Sequence, residues 1–154
     1  MKKNILIVVM LFVVNVLLSQ NSTGSQHHLL DSMNNIMETT SADSSYLLAL
    51  HTVVMVYRKN KPDTSLILIN KGIEESIKRN NTEFHGQLLN HKGAFYRYNK
   101  ELDSSIRYYQ LASEMFMIEG DSLDYFGSLV NIANVLKAQG KYEEAAANYL
   151  SSIN

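Results

Sequence analysis

The histidines of this sequence are the first side chains to consider for chemistry, and their spacing does not bring them together. His85 and His91 are six residues apart, which places them about 240° apart around a helix, because each residue turns a helix by about 100°. Two side chains that diverge in this way form neither a metal site nor a catalytic pair. His27 and His28 are adjacent in a polar segment, without the other ligands that a metal site needs. We therefore predict no metal site and no catalytic histidine.

The acidic side chains give no better support for an enzyme. Glu74 is followed directly by Glu75, and Glu143 by Glu144, and neighbouring side chains on a helix point about 100° apart. Such pairs are typical of the outer, solvent-facing side of a helix. The seven glycines form no phosphate-binding loop. The sequence predicts a protein that is not an enzyme and has no cofactor.

Composition limits the remaining classes of function. The chain of 154 residues is 45% hydrophobic and 19% charged, which is the range of an ordinary domain with a packed core. Its 14 basic and 15 acidic residues give a formal net charge of -1, and no extended basic run offers a surface for nucleic acid. Cysteine is absent, which excludes disulfides, thiolate metal sites and a thiol nucleophile. Packing must therefore hold the fold together.

The first 19 residues have the layout of a secretory signal peptide. Lys2 and Lys3 precede the apolar stretch 5–18, and small Ser19 follows it. A helix over that stretch spans about 21 Å, which is short of the roughly 30 Å of a bilayer core. We expect cleavage after Ser19 and export to the periplasm. The alternative is an uncleaved N-terminal membrane anchor, because Leu17 is bulkier than the residue usually found three positions before such a cleavage site.

Three stretches further along, 62–76, 102–115 and 142–154, repeat one pattern with a period of forty residues. A small residue is followed by a bulky residue four positions later and by a second small residue seven positions later. The sets are Ser65, Ile69 and Gly72; Ser105, Tyr109 and Ala112; and Ala145, Tyr149 and Ser152. Positions i, i+4 and i+7 share one face of a helix. Each stretch is therefore predicted to be a helix with one packed face.

A second helix with its own apolar stripe precedes each of these stretches. The stripes contain Leu129, Ile132, Ala133 and Leu136 in the third unit, Leu89, Gly93 and Tyr96 in the second, and Ala49, Val53 and Val56 in the first. In the third unit, Gly140 is placed to end its helix with a left-handed backbone. In the second unit, Lys100 stands at the position equivalent to Gly140, and Lys92 stands where an apolar residue is expected. Paired helices approach to about 8 Å only where the crossing carries small side chains. We therefore expect Gly93 or Ala133 to face Ser105 or Ala145.

These residues resemble the tetratricopeptide repeat, whose pattern runs W-x2-L-G-x2-Y and then A-x3-F. The third unit matches best, with Leu129 at the tryptophan, Ile132 and Ala133 at the leucine–glycine pair, Leu136 at the tyrosine, and Ala145 and Tyr149 at A-x3-F. The period of forty, instead of thirty-four, is similar to the long-repeat subgroup of kinesin light chains and bacterial sensor proteins. The proline that usually ends the pattern is absent from every unit.

The resemblance, which covers residues 46–154, implies an all-α fold: a right-handed superhelical solenoid of antiparallel helical hairpins with about three repeats. The repeat domain is predicted over 44–154, with units near 46–80, 84–119 and 123–154, the last of them incomplete. Residues 20–43 are predicted to be a polar leader. Its end is similar to the lead-in of exported bacterial sensors, which implies one short helix formed by Leu29, Leu30, Met33, Ile36 and Met37.

In this family the first helices of successive units line a concave groove that binds a peptide or a partner protein. Position by position, the resemblance assigns to the groove Leu50, Val54, Tyr57, Asn90, His91, Arg97, Val130, Asn131, Asn134 and Lys137. Asn131 and Asn134 stand where related proteins hold the main chain of a peptide with side-chain amides. The alternative is that both asparagines only solvate an exposed face, and that Arg97 and Lys137 only solvate the ends of their helices.

The expected function is that of an exported, non-enzymatic scaffold for a protein or peptide partner. The alternative is the extracytoplasmic sensor portion, complete or truncated, of a tetratricopeptide-containing two-component histidine kinase or transcription regulator. The last helix, with Tyr149, Leu150 and Ile153 expected to be uncovered, also predicts that the chain either self-associates through this helix or is only marginally stable.

Overall fold

The computed structural model of the protein describes residues 49–54, 57 and 62–153. It divides into two compact units, Met1–Lys61 and Pro62–Asn154. Within Met1–Lys61, residues 49–54 are helical, and Ala49 and Val53 of the predicted apolar stripe are buried. The predicted signal peptide and leader lie outside the described residues.

The second unit consists of five helices in its described residues. They are α1 (Pro62–Lys78), α2 (Thr82–Tyr98), α3 (Leu102–Glu119), α4 (Ser122–Ala138) and α5 (Tyr142–Ser151). Each packs against the next one along the chain, so that α2 with α3 and α4 with α5 form the predicted hairpins. α1 lies where the sequence predicts the second helix of the first repeat. The range 62–153 contains no strand. The predicted all-α fold of repeated helical hairpins is confirmed. Of the helices in the described ranges, none is long and apolar enough to cross a membrane.

The turns between these helices recur every twenty residues, which explains the period of forty. Asn80, Lys100, Gly120 and Gly140 all have a positive φ, of 52°, 63°, 74° and 80°. The N–H of the residue after each of them donates to a carbonyl five residues earlier, as in the bond from Lys141 to Leu136 at 3.0 Å, which is the Schellman pattern that satisfies the end of a helix. Gly140 therefore ends α4 as predicted. Lys100 adopts the same left-handed backbone without being a glycine.

Two of the helices begin at a side-chain cap. Asn81 Oδ1 accepts the N–H of Phe84 at 3.0 Å before α2, and Asp121 Oδ1 accepts the N–H of Asp124 at 3.1 Å before α4. Each bond satisfies one of the N–H groups that the first turn of a helix leaves without a partner. Glu101 and Lys141 precede α3 and α5 without such a bond. Side chains therefore fix the start of the first helix in both hairpins, α2 with α3 and α4 with α5.

Replacing the α2 cap should measure its contribution to the fold. Asn81→Ala removes the only side-chain cap of α2, and we expect the free energy of unfolding to fall by about 1 kcal/mol. Urea denaturation followed by circular dichroism measures the change. Glu101→Ala, at a helix start without a cap bond, is the matched control and should change stability by less than about 0.5 kcal/mol. Equal losses in the two variants would contradict a role for the Asn81 side chain.

The crossing points of the hairpins carry the predicted small residues. Ser105 Oγ donates to the carbonyl oxygen of Gly93 at 2.8 Å, and a Cβ added to Gly93 would lie 2.7 Å from Cδ1 of Tyr109. In the next hairpin, Ala133 and Ala145 are buried in the same cluster as Tyr109. The expectation that small residues allow these helices to approach each other is confirmed.

A second contact of the same kind was not predicted. Phe116 of α3 is buried, and its ring lies so close to Gly86 of α2 that a Cβ there would be 2.8 Å from Cε1 of the ring. Leu89 and Ala112 complete this cluster. Two glycines of α2, seven residues apart, thus each receive an aromatic ring from α3.

Candidate functional site

Two of the predicted groove residues meet across α2 and α4. The side-chain nitrogen of Asn131 donates to Oδ1 of Asn90 at 3.1 Å, over a separation of 41 residues. Both side chains are half-buried. The first helices of the second and third repeats therefore adjoin at this asparagine pair, as the repeat pattern implies.

The asparagine pair retains hydrogen-bonding capacity. Its bond uses one N–H of Asn131 and the carbonyl oxygen of Asn90, and an amide side chain has two N–H donors and an oxygen with two lone pairs. The nitrogen of Asn90 and the oxygen of Asn131 make no hydrogen bond to another described residue. A donor and an acceptor therefore remain next to each other, which is the complement of a peptide group.

Asn134, one turn after Asn131, has a structural contact of its own. Its Oδ1 accepts the hydroxyl of Tyr149 at 2.8 Å, so its side chain links α4 to α5. The residue is exposed, and its side-chain nitrogen remains available to a ligand. Sequence reasoning missed this bond, although Tyr149 was recognised as a packing residue of the repeat.

The two predicted basic residues lie at corresponding places in the repeat. Arg97 and Lys137 are exposed and stand in the last turns of α2 and α4, forty residues and thus one period apart in the sequence. A positive charge is favourable there because the C-terminal end of a helix carries a partial negative charge. Both cations are thus accessible to an anionic group and also stabilise their own helices.

The remaining predicted residues divide into half-buried and fully buried ones. His91 and Val130 are half-buried next to the asparagines, and Tyr57 is half-buried in the first unit. Leu50 and Val54 are fully buried. The expectation that these two side chains face a groove is therefore not met, because they are core residues.

Lys92, the charged residue of α2 at a position where an apolar residue was expected, contacts side chains of two other helices. Its Nζ donates to Oδ1 of Asn70 on α1 at 2.7 Å and lies 4.5 Å from the centre of the Tyr108 ring on α3. Tyr108 stacks on Tyr96 with ring centres 5.2 Å apart. Burial, and then the proximity of Tyr108, raises the pKa of the Tyr96 phenol. Lys92 and Tyr96 are four residues apart on α2, a spacing that could have indicated a shared face.

A cleft of about 300 Å³ lies among α3, α4 and α5. Its apolar wall contains Ile106, Ile132 and Leu136, and its charged residues are Asp103, Arg107, Lys141 and Glu144. Sequence reasoning looked for a site on the first helices alone and missed this cleft. The only signal was the spacing of Asp103 and Arg107, four residues apart on one face of a second helix.

The histidines show no metal-binding arrangement in the described ranges. No group of three or more histidine, cysteine, aspartate or glutamate side chains lies within reach of one ion there. Burial lowers the pKa of His85, which favours its neutral form. The described helices present hydrogen-bonding and charged groups at their surface.

Comparison with protein families agrees with this architecture. Residues 85–154 match the family described as tetratricopeptide repeat, a range that includes most of α2 and all of α3, α4 and α5. No curated protein matches the sequence. Residues 85–154 are therefore similar to tetratricopeptide repeats, in agreement with the helical hairpins seen there.

Proposed function

We propose that this protein is a non-enzymatic interaction scaffold that binds an extended peptide segment of a partner protein on the concave side of α2 and α4. Tetratricopeptide repeats are generally protein-interaction scaffolds, and no feature of the described residues suggests chemistry. The observation that carries the proposal is the bond between Asn131 and Asn90, which leaves a donor and an acceptor side by side.

An extended peptide suits this pair because its main chain must find new partners when it leaves water. An unsatisfied peptide group costs about 1–3 kcal/mol on burial. The nitrogen of Asn90 donates to a peptide carbonyl, and the oxygen of Asn131 accepts a peptide N–H. Recognition of the main chain tolerates many side chains. Arg97 and Lys137 then favour segments that carry an acidic residue.

Asn131→Ala tests the asparagine pair directly. Peptides selected from a random library for binding to the protein supply the probe, and isothermal titration measures their affinity. We expect about a tenfold loss of affinity, the equivalent of one lost hydrogen bond in a desolvated site, with an unchanged circular dichroism spectrum. Unchanged affinity would remove this pair from the binding site.

Two further variants separate binding from folding. Asn148→Ala is the matched control, because this helical asparagine of α5 donates only to the carbonyl of Glu144 in its own helix; affinity should not change. Tyr149→Phe removes the hydroxyl that bonds Asn134 and should lower stability with little effect on affinity. Asn134→Ala removes the same bond from its other end. If the two variants weaken binding equally, Asn134 acts only by linking α4 to α5.

We further propose that the protein is exported to the periplasm and belongs to the long-repeat subgroup. The layout of residues 1–19 supports export, and the turns at every twentieth residue support the longer repeat. A second candidate function, the extracytoplasmic sensor portion of a two-component histidine kinase or transcription regulator, rests on the same two features. Cell fractionation tests export, and a membrane span with a kinase-like segment encoded after Asn154 would favour the sensor.

Self-association through α5 is also part of this proposal. Leu150 in the last turn of α5 and Ile153 just beyond it are 60% and 77% exposed, which leaves two large aliphatic side chains open to another surface. The expectation that Tyr149 is uncovered as well is wrong, because its side chain packs against the core cluster of α4 and bonds Asn134.

A further inference from the structure

The cleft among α3, α4 and α5 has a counterpart one repeat earlier, among α1, α2 and α3. Four residues that line the cleft have equivalents forty positions earlier, and those equivalents contact one another. The pairs are Gln110 and Asn70, Ile132 and Lys92, Leu136 and Tyr96, and Asn148 and Tyr108. In the earlier repeat, a lysine ammonium and two stacked tyrosine rings therefore occupy the place that corresponds to the cleft.

Smaller side chains explain why this place is open in the later repeat. Asn148 replaces a tyrosine ring, Leu136 replaces the ring stacked on it, and Ile132 replaces the lysine. What the later repeat lacks is thus an aromatic ring with a cation beside it. The side chains that fill the earlier place come from α1, α2 and α3. The cleft likewise belongs to α3, α4 and α5, and a helix after α5 has no counterpart in the filled arrangement.

The rim of the cleft carries charges of both signs. Arg107, Lys141 and Glu144 stand where the earlier repeat has an isoleucine, a glutamate and a serine. All three are exposed, and in the described ranges their side chains form no hydrogen bond or ion pair. Asp103 also lines the cleft and accepts a side-chain N–H of Gln139 at 2.7 Å. The cleft thus offers two cations and two carboxylates around an apolar floor.

We propose that this cleft binds a free α-amino acid with an aromatic side chain. The ring takes the place of the tyrosine ring of the earlier repeat, against Leu136 and Asn148. The ammonium takes the place of the lysine ammonium, where Gln110 offers an acceptor and Glu144 a negative charge. The carboxylate pairs with Arg107, which precedes Gln110 by one turn of α3. A zwitterion satisfies both signs of charge on the rim, which a singly charged ligand does not.

The size and position of the cleft fit this ligand. Its volume of about 300 Å³ lies at the lower end of small-molecule sites and accommodates one amino acid. Because the charged groups of the rim are exposed, we expect a dissociation constant on the order of 0.1–1 mM. Ile132 and Leu136 lie about 150° around α4 from Asn131 and Asn134. The amino-acid site is therefore separate from the proposed peptide site and does not depend on it.

Titration of the protein with L-phenylalanine, followed by nuclear magnetic resonance, tests the cleft. Binding should shift the side-chain amide signals of Gln110 and Asn148. Asn148→Tyr restores the ring of the earlier repeat and should weaken binding at least about tenfold, because the new side chain occupies the place of the ligand. Ala147→Tyr is the matched control: it adds the same ring at an exposed position outside the cleft and should leave the dissociation constant unchanged. No binding up to about 10 mM, or binding that survives Asn148→Tyr, would overturn the proposal.

The charges of the ligand distinguish a free amino acid from a side chain of a peptide. N-acetyl-L-phenylalaninamide keeps the ring without either charge, and phenethylamine lacks only the carboxylate. Both should bind at least about tenfold more weakly than L-phenylalanine. In Arg107→Ala, the affinity for L-phenylalanine should fall to that for phenethylamine, since the two ligands differ by the carboxylate. Equal binding of the capped amide would overturn the proposal in favour of an aromatic side chain of a peptide, and equal binding of L-leucine would overturn the preference for a ring.

Discussion

Phe116→Ala is expected to lower the free energy of unfolding by about 3–5 kcal/mol, the largest effect of any substitution considered for this protein. The ring is only 1% exposed and lies against Gly86 on the facing helix. α2 and α3 cannot close over the resulting cavity without a shift of both helices. Urea denaturation followed by far-ultraviolet circular dichroism measures the loss, and the main transition should move to lower denaturant.

Met117→Ala is the control for this prediction, because Met117 is the next residue on α3 and is 63% exposed. Removing an exposed side chain of similar length should change stability by less than about 0.5 kcal/mol. Comparable losses in the two variants would show that α3 is sensitive to truncation in general and that Phe116 has no special place in the core.

The fold was predictable because the small residues that let its helices pack closely recur at equivalent positions of successive repeats. Ser105 and Ala145 occupy one equivalent position in successive second helices, and both are buried where a first helix crosses. A residue type that returns every forty positions reveals its structural role without any knowledge of the neighbouring helix. The same holds for Gly140, whose left-handed conformation follows from its place after a helix.

Contacts that occur in one repeat only could not be predicted in this way. Phe116 has Ser76 as its equivalent forty residues earlier, so a comparison between repeats gives no reason to single it out. Its contact with Gly86 depends on the relative shift of two helices, which no local pattern specifies. Lys92 is a similar case, because Asn70 and Tyr108 hold it from two other helices.

The candidate site was predictable in part for the same reason. Asn131 was recognised by its position in the repeat, but its bond to Asn90 joins residues that are offset by one position from the period. Such a diagonal contact between neighbouring helices depends on their inclination to each other. Sequence spacing therefore identified the helices that form the site, and only the structure identified the pair.

Gly93→Ala should destabilise the protein by about 1–3 kcal/mol, although alanine is the better helix former. In an open helix position this substitution would gain up to about 1 kcal/mol. At Gly93 the new methyl group would lie 2.7 Å from Cδ1 of Tyr109, a ring that is itself buried and cannot move aside without opening the core. Overpacking of a closed core costs about 1–3 kcal/mol. The clash therefore outweighs the gain in helix propensity.

Gly127→Ala provides the opposite expectation within the same fold. Gly127 lies inside α4 and is exposed, and no atom stands within 4 Å of a Cβ added there. The same change should therefore raise the free energy of unfolding by about 0.5–1 kcal/mol. Urea denaturation of the two variants should show midpoints on opposite sides of the unmodified protein. A stabilising Gly93→Ala would mean that the crossing of α2 and α3 has room for a side chain. The close approach of these helices would then not explain the glycine at that position.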